Sequence, residues 1–179
     1  FNVIVCHRRF GKTVFAINHM LHMALQCPHK NPQYAYLAPT YGQAKRVVWD
    51  YLKAYTANIP GVTVNEADLR VDIPRPGPNG GDRIRLMLLG AENPGNLKGI
   101  YLDGVILDEY GEMNPAAWSE VIRPTLSDRI GWAIFIGTPR GRNNFYELWM
   151  GAIDDKRYDI EHWYRRMFKA SETGILPES

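Results

Sequence analysis

Cys6-His7-Arg8-Arg9-Phe10-Gly11-Lys12-Thr13 is the stretch on which the fold turns. It follows the apolar run Val3-Ile4-Val5 and precedes a helical pattern that starts near Lys12, with Val14, Ile17, Leu21, Ala24 and Leu25 recurring on one face. A strand, a basic loop closing on Gly-Lys-Thr and a helix form the context that a phosphate-binding loop requires. In that reading backbone N–H groups at the helix N-terminus cradle phosphate oxygens, Lys12 reaches the β and γ phosphates of ATP, and Thr13 offers its hydroxyl to Mg²⁺. The spacing is that of a Walker A motif, with Cys6 in place of the usual first glycine. The plainer alternative is a glycine turn before a helix.

Downstream, strands and helices alternate. Pro28 ends the first helix, 34–38 is strand-like, and Thr40 with Gln43 resembles a capping box for a helix whose stripe is Ala44, Val47, Tyr51 and Ala54. Runs at 62–64, 69–73 and 83–89 read as an antiparallel insertion, the last two flanking a long exposed loop rich in proline and glycine. A buried strand over 104–108 follows. Asn114-Pro115 then opens a helix over 116–122 that Pro124 closes. Residues 132–136 form another strand, 144–150 a helix capped by Gly151, and 160–167 a last strand. The alternation predicts an α/β fold, a mainly parallel central sheet with helices on both faces, and ligands gathered where strands end and helices begin.

Val105-Ile106-Leu107-Asp108-Glu109 is an apolar strand ending in adjacent carboxylates, the Walker B arrangement. Asp108 would hold Mg²⁺ and Glu109 would orient and polarise the attacking water. An isolated acid pair of this kind is otherwise a solvated turn. Phe135-Ile136-Gly137-Thr138-Pro139-Arg140-Gly141-Arg142 ends a further strand in a hydroxyl, and Thr138 is placed to sense the γ phosphate, flanked by Gly137 and Pro139. A mere strand-ending turn is the alternative there.

Composition sets the outer bounds. The 179 residues are 45% hydrophobic and 22% charged, which excludes disorder and collagen-like repetition. A net charge of +2 is too mild to identify a polyanion partner, so a nucleic-acid surface must come from local clustering. Arg123, Arg129, Arg140 and Arg142 form one such cluster, with Asp128 its only acid, and the loop around Arg75 with Arg83 and Arg85 forms another. Either is equally a solvated charged face. Cys6 and Cys27 sit in no paired motif and read as thiols. His19, His22, Cys27 and His29 fit no common zinc spacing. No apolar run approaches the roughly 20 residues of a membrane helix and no signal peptide is evident, so a soluble intracellular chain without a membrane partner is expected. Opening at Phe1 directly on a core strand, the sequence reads as a fragment of a longer protein.

Three stretches together resemble a known family: Arg8-Arg9-Phe10-Gly11-Lys12-Thr13; Leu97-Lys98-Gly99 through Val105-Ile106-Leu107-Asp108-Glu109; and Ile122-Arg123-Pro124 with Ser127-Asp128-Arg129 leading to Gly137-Thr138-Pro139-Arg140-Gly141. Over almost its whole length the chain is similar to the ATPase domain of large terminase subunits, the DNA-packaging motors of tailed bacteriophages and related viruses. The resemblance implies an additional-strand P-loop ATPase fold (RecA/ASCE-like), one domain over residues 1–179, and Mg-ATP hydrolysis coupled to double-stranded DNA translocation into a procapsid. It implies a homo-oligomeric ring on the portal protein at the portal vertex in the host cytoplasm, with the small terminase subunit as a further partner. Lys12, Thr13, Asp108, Glu109 and Thr138 match the family's nucleotide and coupling motifs, and Arg8 or Arg9 matches its phosphate-loop arginine. Lys98 stands where the family commonly places a basic residue, often arginine, that reaches the neighbouring subunit's nucleotide. A lysine supplies a point charge without arginine's bidentate fork, and a solvated loop lysine is the alternative. The adenine-contacting segment before the first strand and the carboxyl-terminal nuclease domain are absent from the sequence, so no nuclease activity is expected of it. A helicase-like DNA translocase, which would need a second motor domain, and an ATP-binding assembly module without turnover are the competing readings. Glu109 argues against the latter.

Overall fold

The computed structural model describes residues 1–77, 81–97, 99–154 and 163–173. The chain runs β1 (Asn2–Cys6), α1 (Lys12–Gln26), β2 (Gln33–Ala38), α2 (Tyr41–Thr56), β3 (Thr63–Asn65), β4 (Arg70–Arg75), β5 (Asp82–Gly90) and β6 (Gly104–Asp108). A π-helical segment, Ala117–Ile122, then leads into α3 (Arg123–Ser127), followed by β7 (Trp132–Gly137), α4 (Asn144–Asp154), β8 (Tyr164–Phe168) and α5 (Ala170–Thr173). Among the described residues eight strands form one sheet in the order β3-β4-β5-β2-β6-β7-β1-β8. From β5 to β8 the neighbours are parallel, and β3, β4 and β5 pair antiparallel.

Buried strands with side chains on both faces need two covers. In β7, Ile134 and Ile136 point to the face covered by α1 and α2, where Ile17, Met20, Val48, Trp49 and Leu52 pack. Ala133 and Phe135 point to the opposite face, under Trp118, Val121, Phe145 and Leu148. Trp132 lies so close to Gly104 at the start of β6 that a Cβ there would collide with its indole. The central strands therefore all end together on one edge, with the tips of β6, β7 and β1 adjacent.

Several expectations are corrected. The buried face of α1 is Ala16, Ile17, Met20, Leu21 and Ala24, while Val14 and Leu25 are exposed. The Thr40/Gln43 capping box forms, but α2 buries Ala44, Val48, Trp49, Leu52 and Thr56 and leaves Val47, Tyr51 and Ala54 outside. The antiparallel insertion forms as β3-β4-β5, and beyond the expectation β5 also pairs parallel with β2, from Gln33 opposite Arg85 to Ala38 opposite Gly90. Pro124 does not end its helix. The Arg123 N–H reaches Trp118 O, five residues back, in a wider turn just before the proline, which then falls in the first turn of α3, where a missing N–H is tolerated, and the helix continues to Ser127. Gly151 is a buried residue inside α4, not its cap. The last strand is Tyr164–Phe168; residues 160–162 and the loop tip at 78–80 lie outside the described residues. Among the described residues no helix is long and apolar enough to cross a membrane.

Candidate active site

The loop from β1 to α1 closes on Gly11 at φ 87°, ψ 21°, a left-handed conformation that glycine adopts without strain. Helix α1 starts there with the Phe15 N–H donating to Gly11 O, 3.0 Å. Its N-terminus has no side-chain cap and no acid in the first turn, which leaves its N–H groups and positive dipole end to the loop. Cys6, at the end of β1, is buried, and burial pushes its thiol up to about 11, against the lowering pull of Lys12, so it is a packed, protonated side chain.

Asp108 ends β6 and is aimed by two donors. The Tyr36 hydroxyl, from the neighbouring strand β2, donates to Oδ2 at 2.6 Å, and the Glu109 N–H donates to Oδ1 at 3.1 Å. Burial pushes the Asp108 carboxyl up from its usual range, opposed by the Tyr36 hydrogen bond, with the nearby Glu109 charge adding to the rise. Tyr36 is itself held well above its ordinary value, by burial first and the Asp108 charge second, with the nearby Thr13 hydroxyl acting against them. One phenol thus ties β2 to the tip of β6.

Glu109 sits at φ 51°, ψ 45°, a strained conformation for a non-glycine residue that turns its carboxylate away from the strand. Lys12 Nζ donates to Glu109 Oε1 and to Thr138 Oγ1, each at 2.7 Å. Thr138 returns its N–H to Glu109 Oε2 at 3.2 Å and its hydroxyl to Oε1 at 3.3 Å. The turn after Glu109 is pinned from the start of α4: Asn144 Nδ2 donates to Tyr110 O and Met113 O at 2.9 and 3.0 Å, and Asn143 Nδ2 to Gly111 O at 3.2 Å. A cavity of about 450 Å³ opens beside this cluster, lined by Arg8, Glu109, Glu112, Thr138, Pro139 and Arg140 among others.

The structure therefore brings Arg8, Lys12, Thr13, Asp108, Glu109 and Thr138 to one edge. Gly137 closes β7 with the Phe145 ring against it. His7 makes an edge contact with Phe10, and Arg9 is exposed in a left-handed conformation at φ 63°. The four arginines taken as a DNA cluster are divided. Arg140 pairs with Glu112 at 2.6 Å and Arg142 lies over the Tyr146 ring, both beyond the carboxyl tip of β7. Arg129 lies before β7, over the Tyr101 ring and 3.8 Å from Asp103. Arg123 is exposed at the start of α3. Lys98 lies outside the described residues.

Tyr36, Asn143 and Asn144 escaped the sequence reading. Tyr36 carries a weak signal as a polar-tipped residue in an apolar strand, yet only strand pairing shows what it faces. Asp103, at the far end of β6 from Asp108, is buried against His29 Nδ1 (2.6 Å) and the Gln33 N–H (2.8 Å), with the Cys27 thiol 3.9 Å away. Cys6 and Cys27 are both free.

A parallel sheet with β7 inserted between the loop-bearing strand β1 and the acid-bearing strand β6 is the fold of the additional-strand P-loop ATPases. The family model described as terminase large subunit, T4-like-virus type, N-terminal, matches residues 4–173, and the chain belongs to that family. The terminase large subunit of Thermus phage G20c is 49% identical over 96 residues, which span 49% of this chain and 20% of that protein. The large terminase ATPase domain of Thermus phage P74-26 superposes with a TM-score of 0.71 at 29% identity, covering 93% of this chain and 74% of that one. A large terminase from a thermophilic bacteriophage, solved with ATP-γ-S, shares the fold at 19% identity with a TM-score of 0.71, covering 99% of this chain and 41% of that one.

Proposed function

We propose that this chain hydrolyses Mg-ATP and, within a large terminase, couples hydrolysis to the translocation of double-stranded DNA into a procapsid. The observation that carries the reading is the convergence of the Lys12 ammonium, the Glu109 carboxylate and the Thr138 hydroxyl within hydrogen-bonding distance at the tips of three separate elements. Lys12 and the N–H groups opening α1 bind the phosphates. Glu109, fixed by Lys12 and Thr138, holds the attacking water and withdraws its proton. Arg8, the loop arginine that lines the same cavity as Glu109, is the one we assign to stabilising charge that develops on the γ phosphate, although both loop arginines are exposed.

Thr13 and Asp108, the latter aimed by the Tyr36 hydroxyl, offer hard oxygen donors, the chemistry Mg²⁺ selects, so these residues fit the ion. When bound it neutralises phosphate charge. Thr138 hydrogen-bonds the catalytic carboxylate and begins the 138–142 loop, so it relays nucleotide state to Arg140 and Arg142, the arginines of the DNA cluster nearest the site. A homo-oligomeric ring on the portal protein, at the portal vertex in the host cytoplasm and served by the small terminase subunit, is the setting this reading assigns. Lys98 is the candidate for completing a neighbour's site.

The test is ATP hydrolysis per chain over a wide range of protein concentration, with and without double-stranded DNA. The reading predicts a rate per chain that climbs with concentration as neighbours complete each site. Tight Mg-ATP binding with no turnover at any concentration, with or without DNA, would instead establish an ATP-binding assembly module.

A further inference from the structure

Cys27, His29 and Asp103 come together at the end of the sheet opposite the phosphate loop. Cys27 caps the carboxyl end of α1, Pro28 separates it from His29, and Asp103 stands directly before β6. His29 Nδ1 lies 2.6 Å and Cys27 Sγ 3.9 Å from Asp103 Oδ1, and the three donor atoms all lie within 4.8 Å of one another. The third member stands 74 residues beyond His29 and is brought in by the pairing of β2 with β6, so spacing along the chain does not reveal the group. The backbone beneath it is fixed from several sides. The Arg75 guanidinium, from β4, donates to Cys27 O and His29 O. The Gln33 N–H donates to Asp103 Oδ2 and the Asp103 N–H to Gln33 O, each at 2.8 Å. These bonds leave Oδ1 facing the thiol and the imidazole, with the Asp103 side chain 2% exposed and that of His29 42% exposed.

We infer that these three side chains bind a divalent transition-metal cation of the zinc type. Thiolate, imidazole and carboxylate are the ligands Zn²⁺ takes, and the thiolate selects against Mg²⁺. With Zn–S at about 2.3 Å and Zn–N or Zn–O at about 2.0–2.2 Å, ligand atoms in a tetrahedral site stand roughly 3.3–3.6 Å apart. The 3.9 Å between Sγ and Oδ1 is close to that. The His29–Asp103 contact, at 2.6 Å, has to open by less than about 1 Å, which the solvent-facing imidazole permits. Binding releases the thiol proton to solvent, and the neutral imidazole carries its own proton on Nε2. The thiolate and carboxylate then match the two charges of the ion, while Arg129 Nη1, 3.8 Å from Oδ1, keeps its hydrogen bond to Lys30 O at 3.3 Å. Three protein ligands leave the fourth position to water. The ion clips the turn after α1 to the start of β6, and the inference stands independently of the ATPase reading.

Titration with Co²⁺, a spectroscopic stand-in for Zn²⁺, tests this in the reduced chain, free of nucleotide and of any histidine tag. The inference predicts a thiolate-to-cobalt charge-transfer band and the intense visible bands of tetrahedral cobalt, saturating at one ion per chain and abolished when Zn²⁺ displaces it. Cys27→Ser should lose the charge-transfer band. His29→Gln, at an exposed position, should weaken Zn²⁺ binding, read by competition with a chromophoric chelator, by at least the roughly 10- to 100-fold that losing even an outer partner of a metal site costs. Zn²⁺ should also raise the melting temperature of the unaltered chain and raise that of His29→Gln far less, with circular dichroism reporting that the variant is folded. A charge-transfer band that survives in Cys27→Ser would assign the ion to Cys6 and overturn the inference. Cobalt bound without a thiolate band, or equal Zn²⁺ affinity in the unaltered chain and His29→Gln, would overturn it too. Failure to bind either ion would overturn it and leave His29 and Asp103 as a plain ion pair.

Discussion

The Tyr36 hydroxyl shows how a site depends on residues outside its motifs. It is buried in β2, yet it is the side-chain donor that orients Asp108. Removing it with Tyr36→Phe leaves the ring to fill the core and takes away only the bond that aims the carboxylate. Outer partners of this kind typically cost 10- to 100-fold in metal affinity when lost. Accordingly, the Mg²⁺ concentration for half-maximal ATP hydrolysis should rise about tenfold or more in Tyr36→Phe, while the rate at saturating Mg²⁺ falls far less; an unchanged Mg²⁺ titration would exclude this role. Lys12, Thr13, Asp108, Glu109 and Thr138 were legible in the sequence because each stands at a junction where an apolar run meets a turn. Tyr36, Asn143 and Asn144 were not, because their partners are supplied by β-pairing and by the packing of α4 on a turn far away in sequence. The left-handed backbone of Glu109 was equally invisible, since nothing but the surrounding contacts imposes it.

Among the elements, the order of strands and helices was legible and the choice of buried faces was not. In α2 two stripes meet helical spacing, Ala44-Val47-Tyr51-Ala54 and Ala44-Val48-Leu52, and they differ by about 100° around the axis. What decides between them is β5, whose Ile84, Leu86 and Leu88 form a floor for Val48 and Leu52. Trp49 is drawn in alongside, its indole N–H donating to Glu66 at 2.6 Å. Leu52 is fully buried and Tyr51 is 47% exposed. Leu52→Ala should therefore destabilise the fold by about 2–5 kcal/mol, and Tyr51→Ala by less than about 1 kcal/mol, measured by urea unfolding; the reverse ranking would mean the helix is rotated. The same reasoning covers Pro124. Proline is tolerated in a helix's first turn, and here Pro124 falls in the first turn of α3, directly after the π-helical segment. Periodicity sees one segment at a time, so β5 read only as part of an antiparallel insertion, and its second, parallel edge against β2 was not legible.

For the whole molecule, the decisive feature is the sheet order, which sets β7 between β1 and β6 and so brings Lys12, Glu109 and Thr138 into contact from distant parts of the chain. The same order sets the 450 Å³ cavity beside the tips of β6 and β7, while a second cavity of about 340 Å³ lies against β7, β1 and β8 next to the start of α1. The central claim is that Glu109 activates the water in this arrangement. It is tested most directly by measuring Mg-ATP binding and steady-state turnover side by side in the unaltered chain and in Glu109→Gln, at the protein concentration of highest rate. Glutamine keeps the size and one acceptor for Lys12 but cannot take a proton. The account predicts binding within a few-fold of the unaltered chain and turnover reduced at least about 100-fold, the scale of a lost general base. Turnover within about threefold of the unaltered chain would contradict it.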